Sequence, residues 1–417
     1  LNGFGADLHI LFLTDNFPPE SNAPASRTFE HCREWVRAGH QVTVITCAPN
    51  FPKGKVFDGY RNQLWQQEKM DGIRVIRVWS YITANEGFVK RILDYQSFML
   101  SATLAAPFVC GVDVVVGTSP QFFTACAAYL VSRLKRIPFV FELRDMWPES
   151  IKAVGAMKAD SVAYRWLEKL ELFLYRKASR IVTVTHAFRD VLMRRGIDGT
   201  KIEVVTNGVD LSHFAPQAKD QPLLQQLALQ DMFVAGYIGT HGMAHALETL
   251  LEAAQMLQQL PGAENVRLIF LGDGARKLHL VARSEAMGLR NVLFLESVPK
   301  DQVVRYWSVL DVAVIHLRKT ELFTTVIPSK LFECMGMGLP VLHGVAGESA
   351  DIVVREKVGE VFESENAQQL VDGLLRMRDQ PDTYASYQQS GLAAARRYDR
   401  KHLALQMLQV FKNLLGK

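Results

Sequence analysis

Short runs rich in valine and isoleucine alternate with longer helical patterns along this chain of 417 residues, and no other feature restricts its fold as tightly. Strands joined by helix-length connections pair in parallel, because only a crossover returns the chain to the same end of a sheet. The runs fall into two sets. The first holds HILFLT (9–14), QVTVIT (41–46), IRVIRV (73–78), DVVVG (113–117), FVFEL (139–143), RIVTVT (180–185) and IEVVT (202–206). The second holds FVAGYIG (233–239), VRLIFLG (266–272), NVLFLE (291–296), DVAVIH (311–316), PVLHG (340–344) and GEVF (359–362). Between them lie NGVDLSHFAP and the glutamine-rich QAKDQPLLQQLALQD, a turn-rich passage that reads as a hinge. The expected fold class is therefore α/β, with two doubly wound parallel-sheet domains, residues 1–206 and 207–395. Ligands of open parallel sheets bind beyond the carboxyl ends of the strands, so chemistry is expected on those loops, in a cleft that two such sheets would face.

Composition sets the outer limits. With 48% hydrophobic and 22% charged residues the chain is globular in character, and its length suits two domains. A net charge of +4 is too mild for a nucleic-acid binder, and no block of five or six like charges occurs. Cys32, Cys47, Cys110, Cys126 and Cys334 lie in apolar surroundings without metal-ligand spacing, so they read as buried thiols of a reducing, cytoplasmic compartment. The longest mostly apolar run, 98–109, contains Pro107 and is well short of the roughly twenty residues that span a bilayer. The opening LNGFGA has neither a basic segment nor a long apolar core, and does not read as a secretory signal.

The richest single segment is IPSKLFECMGMGLP, 327–340, which reads as a loop turning into a helix. Pro328 and Ser329 open that helix, and Lys330 and Glu333 then share a face of its first turns. Backbone donors at a helix start favour an anion, Lys330 adds positive charge there, and a Glu333 carboxylate can accept both hydroxyls of a ribose. That combination suits a nucleoside diphosphate. The alternative, a capping box in which Glu333 completes the Ser329 cap, fails by one residue, since the acid stands four places after the serine.

Two further loops of the second set point the same way. LGDGARK (271–277) places Gly272 and Gly274 at a strand end, with Lys277 in reach of a phosphate, and YIGTHG (237–242) places Gly239, Thr240 and His241 where a doubly wound domain meets phosphates. In the first set, FPPESNAPASR (17–27), TSPQ (118–121) and ELRDMWPES (142–150) occupy the corresponding ends. The last gathers Arg144, Asp145, Trp147 and Glu149, charges that are costly to bury unless paired or used; an internal pair of Arg144 with Asp145 is the structural alternative. No Ser-His-Asp, Cys-His or HExxH arrangement is visible, and His186 and His241 are isolated by sequence, so hydrolytic and zinc chemistry have little support.

Together the GDGxxK loop, the PSKxxE helix start followed by GLPV, the NGVD hinge and the RDMWPES loop resemble the family 4 retaining glycosyltransferases of the GT-B fold, over about residues 9–412. The nearest likeness is to the bacterial O-antigen and capsule branch with an RDxWP segment. The resemblance implies two Rossmann-like domains facing an interdomain cleft, with the acceptor held by the first. It implies that Glu333 binds the nucleotide ribose, Lys277 and Lys330 the diphosphate, and backbone near Ser297 and Val298 the base, with Ser329 and Asn22 at the same ligand. Arg144, Asp145, Lys277 and Lys330 are the catalytic candidates, and Asp145 or Glu20 would orient the acceptor hydroxyl. No metal cofactor is implied, and no DxD ligand motif occurs. A terminal helix from Arg396 would cross back onto the first domain, which accounts for the apolar stripe Leu403, Met407, Val410, Phe411 and Leu414.

This sequence departs from the pattern at three places. Thr325 stands where the first acid of a Glu-x7-Glu pair belongs, Ser21, Asn22 and Ala23 replace a glycine pair, and Arg144 replaces a histidine. The expected activity is transfer from a UDP-sugar, with retention, to a polyprenyl-diphosphate-linked or oligosaccharide acceptor in cell-surface polysaccharide synthesis. A UDP-sugar 2-epimerase and a non-catalytic nucleotide-sugar-binding protein are the alternatives. Phe88, Val89, Ile92 and Leu93 flank Lys90 and Arg91, so peripheral contact with the cytoplasmic face of the inner membrane is also expected.

Overall fold

The central strands are buried on both faces, which is why their sequences run apolar instead of alternating. In the computed structural model, which describes residues 7–20, 22–51, 53–83, 88–147, 149 and 161–417, the chain divides into two units. One runs through Asn207 and takes back Arg400–Lys417; the other is Gly208–Asp399.

The N-terminal unit carries β1 (His9–Leu13), β2 (Gln41–Cys47), β3 (Trp65–Met70), β4 (Ile73–Val78), β5 (Val114–Thr118), β6 (Phe139–Leu143), β7 (Arg180–Thr183) and β8 (Ile202–Val204). They form one sheet in the order β3-β4-β2-β1-β5-β6-β7-β8. All neighbours are parallel except β3, which pairs antiparallel with β4. The direction of winding reverses between β1 and β5, where His9–Leu13 has Gln41–Ile45 on one side and Val114–Gly117 on the other. A crevice opens at such a switch point. The strand β3 is absent from the sequence reading because WQQEKM holds four polar residues in a row between Trp65 and Met70; its place at the sheet edge, beside Ile73–Val78, makes it a strand.

Trp35, on the helix Ala23–Arg37, anchors the core of this unit. Its ring meets Phe12 and Phe411, and its indole N–H donates to the Ala404 carbonyl at 2.7 Å. The stripe Leu403, Met407, Val410 and Phe411 on the helix Arg400–Leu415 is thereby buried in the same core, with Leu414 packed at its margin. Arg400 pairs with Glu30 at the start of that helix. Arg27, also fully buried, donates to Glu142 at 3.0 Å, to the carbonyls of Val205 and Thr206 at 3.1 and 2.9 Å, and to Asn207 at 3.2 Å. Burial works against the Glu142 charge, yet Arg27 and Arg144 together hold its carboxyl below the usual range.

The C-terminal unit carries β9 (Phe233–Ile238), β10 (Val266–Leu271), β11 (Val292–Leu295), β12 (Val312–His316), β13 (Val341–Gly344) and β14 (Gly359–Val361), all parallel, in the order β11-β10-β9-β12-β13-β14. This is the doubly wound 3-2-1-4-5-6 order, with its switch point between β9 and β12. Four of the five cysteines are buried, as expected; Cys110 is exposed, because it follows the surface turn Ala106–Phe108. No helix among the described residues is long and apolar enough to cross a membrane.

Candidate functional site

Three loops of the C-terminal unit come together around β9. Backbone hydrogen bonds from Gly239 to Leu271, from His241 to Asp273 and from Arg276 to His241, each at 2.9 Å, join the loop after β9 to the loop after β10. The loops lie so close that a Cβ on Gly272 would stand 1.9 Å from the Gly239 carbonyl oxygen, and one on Gly274 would stand 2.5 Å from that of His241. Both glycines also have positive φ, so no other residue fits either place.

The third loop brings Lys330. Its ammonium stands 3.8 Å above the centre of the Tyr237 ring and against Gly239, where a Cβ would come within 2.7 Å of it. The aromatic face and the missing side chain make the space that the cation occupies. Among the described residues no carboxylate or carbonyl hydrogen-bonds to it, and burial, partly offset by Glu333, lowers its pKa to about 8. Glu333 is half-buried one turn along the same helix, Lys330–Met337. Ser329 precedes that helix in a helical conformation and makes no side-chain capping bond; the N–H groups of Leu331 and Phe332 donate instead to the carbonyls of Pro328 and Ser329, at 3.0 and 3.1 Å.

His241 lies between the two lysines. It is fully buried, neither ring nitrogen has a hydrogen-bond partner among the described residues, and burial together with the charges of Lys277 and Lys330 lowers its pKa to about 4, so it is neutral at pH 7. Lys277 opens the helix Lys277–Ala286, is buried, and donates to the Leu295 carbonyl at 3.0 Å and to Glu296 at 2.7 Å. It therefore reaches the end of β11, where Ser297 is exposed and Val298 half-buried. Thr325 turns its hydroxyl back onto the Leu322 carbonyl at 2.6 Å, inside the short turn Leu322–Thr325.

In the N-terminal unit a cavity of about 280 Å³ opens at the switch point between β1 and β5. Asn16 and Asn22 border it, and Asn22 is held at both ends: its carbonyl caps the helix Ala23–Arg37 at Ala25, and its amide donates to Asn16 at 2.6 Å. Asp15 is pushed up to about 7 by burial and by Glu20 beside it, and Asp94 to about 7 by burial against the opposing effect of Arg91. Arg144 and Asp145 do not border the cavity among the described residues. Their backbone N–H groups both donate to the Ser119 hydroxyl, at 2.8 and 3.1 Å, and the acids acting on the Arg144 guanidinium are Glu142 and Asp15. Trp147 stacks on Phe122 at 5.1 Å and is a core residue.

Residues 22–208 match the glycosyl transferase 4-like domain, and residues 232–380 match the glycosyl transferases group 1 domain. The chain belongs to the family 4 glycosyltransferases, with a GT-B fold. WcaI of Escherichia coli (strain K12), a glycosyl transferase named for colanic acid biosynthesis, is 25% identical over 343 residues, covering 79% of this chain and 82% of its own. A GDP-mannose-dependent alpha-mannosyltransferase of Mycobacterium tuberculosis is 24% identical over 356 residues, covering 84% of this chain and 83% of its own. Among solved structures, Anabaena HepE in complex with UDP and glucose superposes with a TM-score of 0.71 at 18% identity, covering 97% of this chain and 99% of its own. That last likeness concerns the fold.

In this glycosyltransferase the structure draws Gly239, His241, Gly272, Gly274, Lys277 and Lys330 into one cluster, with Thr240 exposed at its edge. Sequence reasoning missed Tyr237, whose ring supports Lys330, and it missed Asp15 and Asp94. Asp15 stands directly beyond the end of β1 and had a positional signal; Asp94 lies within a helix and had none. Ser21, Pro148 and Ser150 lie outside the described residues, as do the side chains of Phe88 and Val89.

Proposed function

We propose that this glycosyltransferase moves a sugar, with retention at the anomeric carbon, from a UDP-sugar to a lipid-linked or oligosaccharide acceptor in cell-surface polysaccharide synthesis. The observation that carries the donor side is Lys330, a half-buried ammonium at a helix start with no acid or carbonyl bonded to it among the described residues. Such a charge is costly unless an anion completes it, and a diphosphate does so. Growing negative charge on the departing diphosphate would be stabilised by Lys330, by Lys277 once it exchanges Glu296 for the ligand, and by the positive end of the helix Lys330–Met337. Glu20, which borders the cavity of the N-terminal unit, would orient the acceptor hydroxyl; Asp145, the other candidate, is not in that lining among the described residues. Support for uridine is the UDP held by HepE, and the mycobacterial relative named for GDP-mannose makes guanosine the competing base.

Calorimetry with UDP and GDP tests the donor side. Glu333→Ala should weaken UDP binding by roughly 1.5–3 kcal/mol, the worth of charge-assisted hydrogen bonds to ribose, and Glu333→Gln by less. Unchanged affinity in a folded alanine variant would remove Glu333 from the site, and preference for GDP would replace the uridine assignment.

Membrane contact belongs to the same proposal. On the helix Phe88–Ala105, Leu93, Leu100 and Leu104 are exposed along one face, with Lys90 and Arg91 exposed near its start. Flotation with anionic vesicles at low salt should recover the protein, and Lys90→Glu with Arg91→Glu should reduce recovery. Wild-type protein that never floats would point to an acceptor in solution.

A further inference from the structure

The cavity at the switch point of the N-terminal unit is built from groups that accept hydrogen bonds. Glu20 is only 4% exposed; its Oε1 takes the N–H groups of Asn50 and Phe51 at 2.7 and 2.9 Å, and its Oε2, also buried, has no partner among the described residues. The Oε1 of Gln121 is a second buried acceptor without a partner among the described residues. Asp15 and Asp94 add two more carboxyls to the lining. Of the donors there, Arg91 is turned onto the Tyr95 hydroxyl at 3.1 and 3.0 Å, and the Asn16 amide onto Asp15 at 2.6 Å.

An occupant must therefore bring donors. The hydroxyls of a sugar ring do, and charge-assisted bonds from O–H to carboxylate are strong; phosphate, sulfate and carboxylate groups have none to give and would meet three acids in the lining, where Arg91 is the one guanidinium and Arg77 and Arg144 act on Glu20 and Asp15 from outside it. We propose that this cavity takes the terminal sugar ring of the acceptor through its hydroxyls, and that this ring bears no anionic substituent. This deepens the acceptor reading given above and rests on it. A lipid diphosphate, if the acceptor carries one, would lie outside this cavity.

Saturation-transfer NMR on the full chain at pH 8, with neutral methyl hexopyranosides and the matched methyl uronides as probes, tests the assignment. At least one neutral glycoside should bind, its uronide at least about tenfold more weakly. Glu20→Gln should weaken the neutral probe about tenfold or more, and Asp94→Asn should narrow the gap between neutral and uronide probes. Gln121→Ala, at a less buried position, supplies a variant that folds should Glu20→Gln fail to, and should also weaken the neutral probe. Equal binding of uronide and neutral probe overturns the proposal, as does no binding of any neutral probe, or wild-type binding in the folded variants. UDP and GDP calorimetry on the same samples separates the two levels: nucleotide binding without sugar binding removes the cavity assignment alone, whereas no binding of either nucleotide removes the transferase reading beneath it.

Discussion

Replacing Lys330 with alanine is expected to lower turnover by about 10² to 10³, the usual loss when one preorganised donor to a developing charge is removed, while nucleotide affinity falls less. The ammonium is already placed over Tyr237 and against Gly239, so no reorganisation is needed as charge grows on the leaving diphosphate. Steady-state kinetics decide: a change confined to the Michaelis constant, with turnover intact, would contradict the role. The same group gives the site a pH signature. With its pKa lowered from 10.5 to about 8, Lys330 is charged in the free protein below pH 8 and largely neutral above it. A bound diphosphate favours the charged form, so binding above pH 8 takes up a proton, and affinity should fall by up to about tenfold per pH unit there. Stability of the free chain moves the opposite way through Lys330, because the unfolded chain keeps the proton up to 10.5 and the folded one releases it from 8 upward. Calorimetry at pH 7 and 9, repeated in buffers of different ionisation heat, would reveal the uptake; a flat profile would mean that Lys330 does not meet the phosphates.

The second large effect is structural. Gly272→Ala is expected to abolish nucleotide binding and to lower stability well beyond the roughly 1–3 kcal/mol of a strained backbone alone, since its Cβ would stand 1.9 Å from the Gly239 carbonyl oxygen. That contact cannot relax without separating the loops after β9 and β10, and with them Lys330 from its place. Gly262→Ala is the matched comparison: its φ of +83° is equally unsuited to alanine, but no atom lies within 4 Å of the added carbon. Thermal melts of the two variants should differ clearly, with nucleotide bound only by Gly262→Ala. Similar melts and retained binding in both would show that the loop contact does not shape the site.

These expectations draw on different amounts of sequence information. Lys330 and Glu333 were legible because their spacing alone puts them on one helix face behind a proline and a serine. The glycines of the loop after β10 were legible as a place where backbone approaches a ligand; that their closest neighbour is the backbone of the loop after β9 was not. The segment ELRDMWPES was read as one set of charges. In the fold its residues part company: Trp147 goes into the core on Phe122, Arg144 answers to Glu142 and Asp15, and neither Arg144 nor Asp145 reaches the cavity lining among the described residues.

What the sequence determined by itself was the α/β class, the two sets of strands and the loops at their carboxyl ends, because hydrophobic period and turn residues act over a few positions. Strand order was decided only in three dimensions. The antiparallel edge Trp65–Met70 owes its conformation to the strand beside it, since the run of polar residues between Trp65 and Met70 carries no apolar period. The acceptor-lined cavity is of the same kind: Asp15, Glu20, Asp94 and Gln121 come from four separate positions along the chain and meet because the winding reverses between β1 and β5. Burial raised the pKa of Asp15 and Asp94 there, and burial is a property of the packed sheet, helix and loop together, which no local pattern of residues contains.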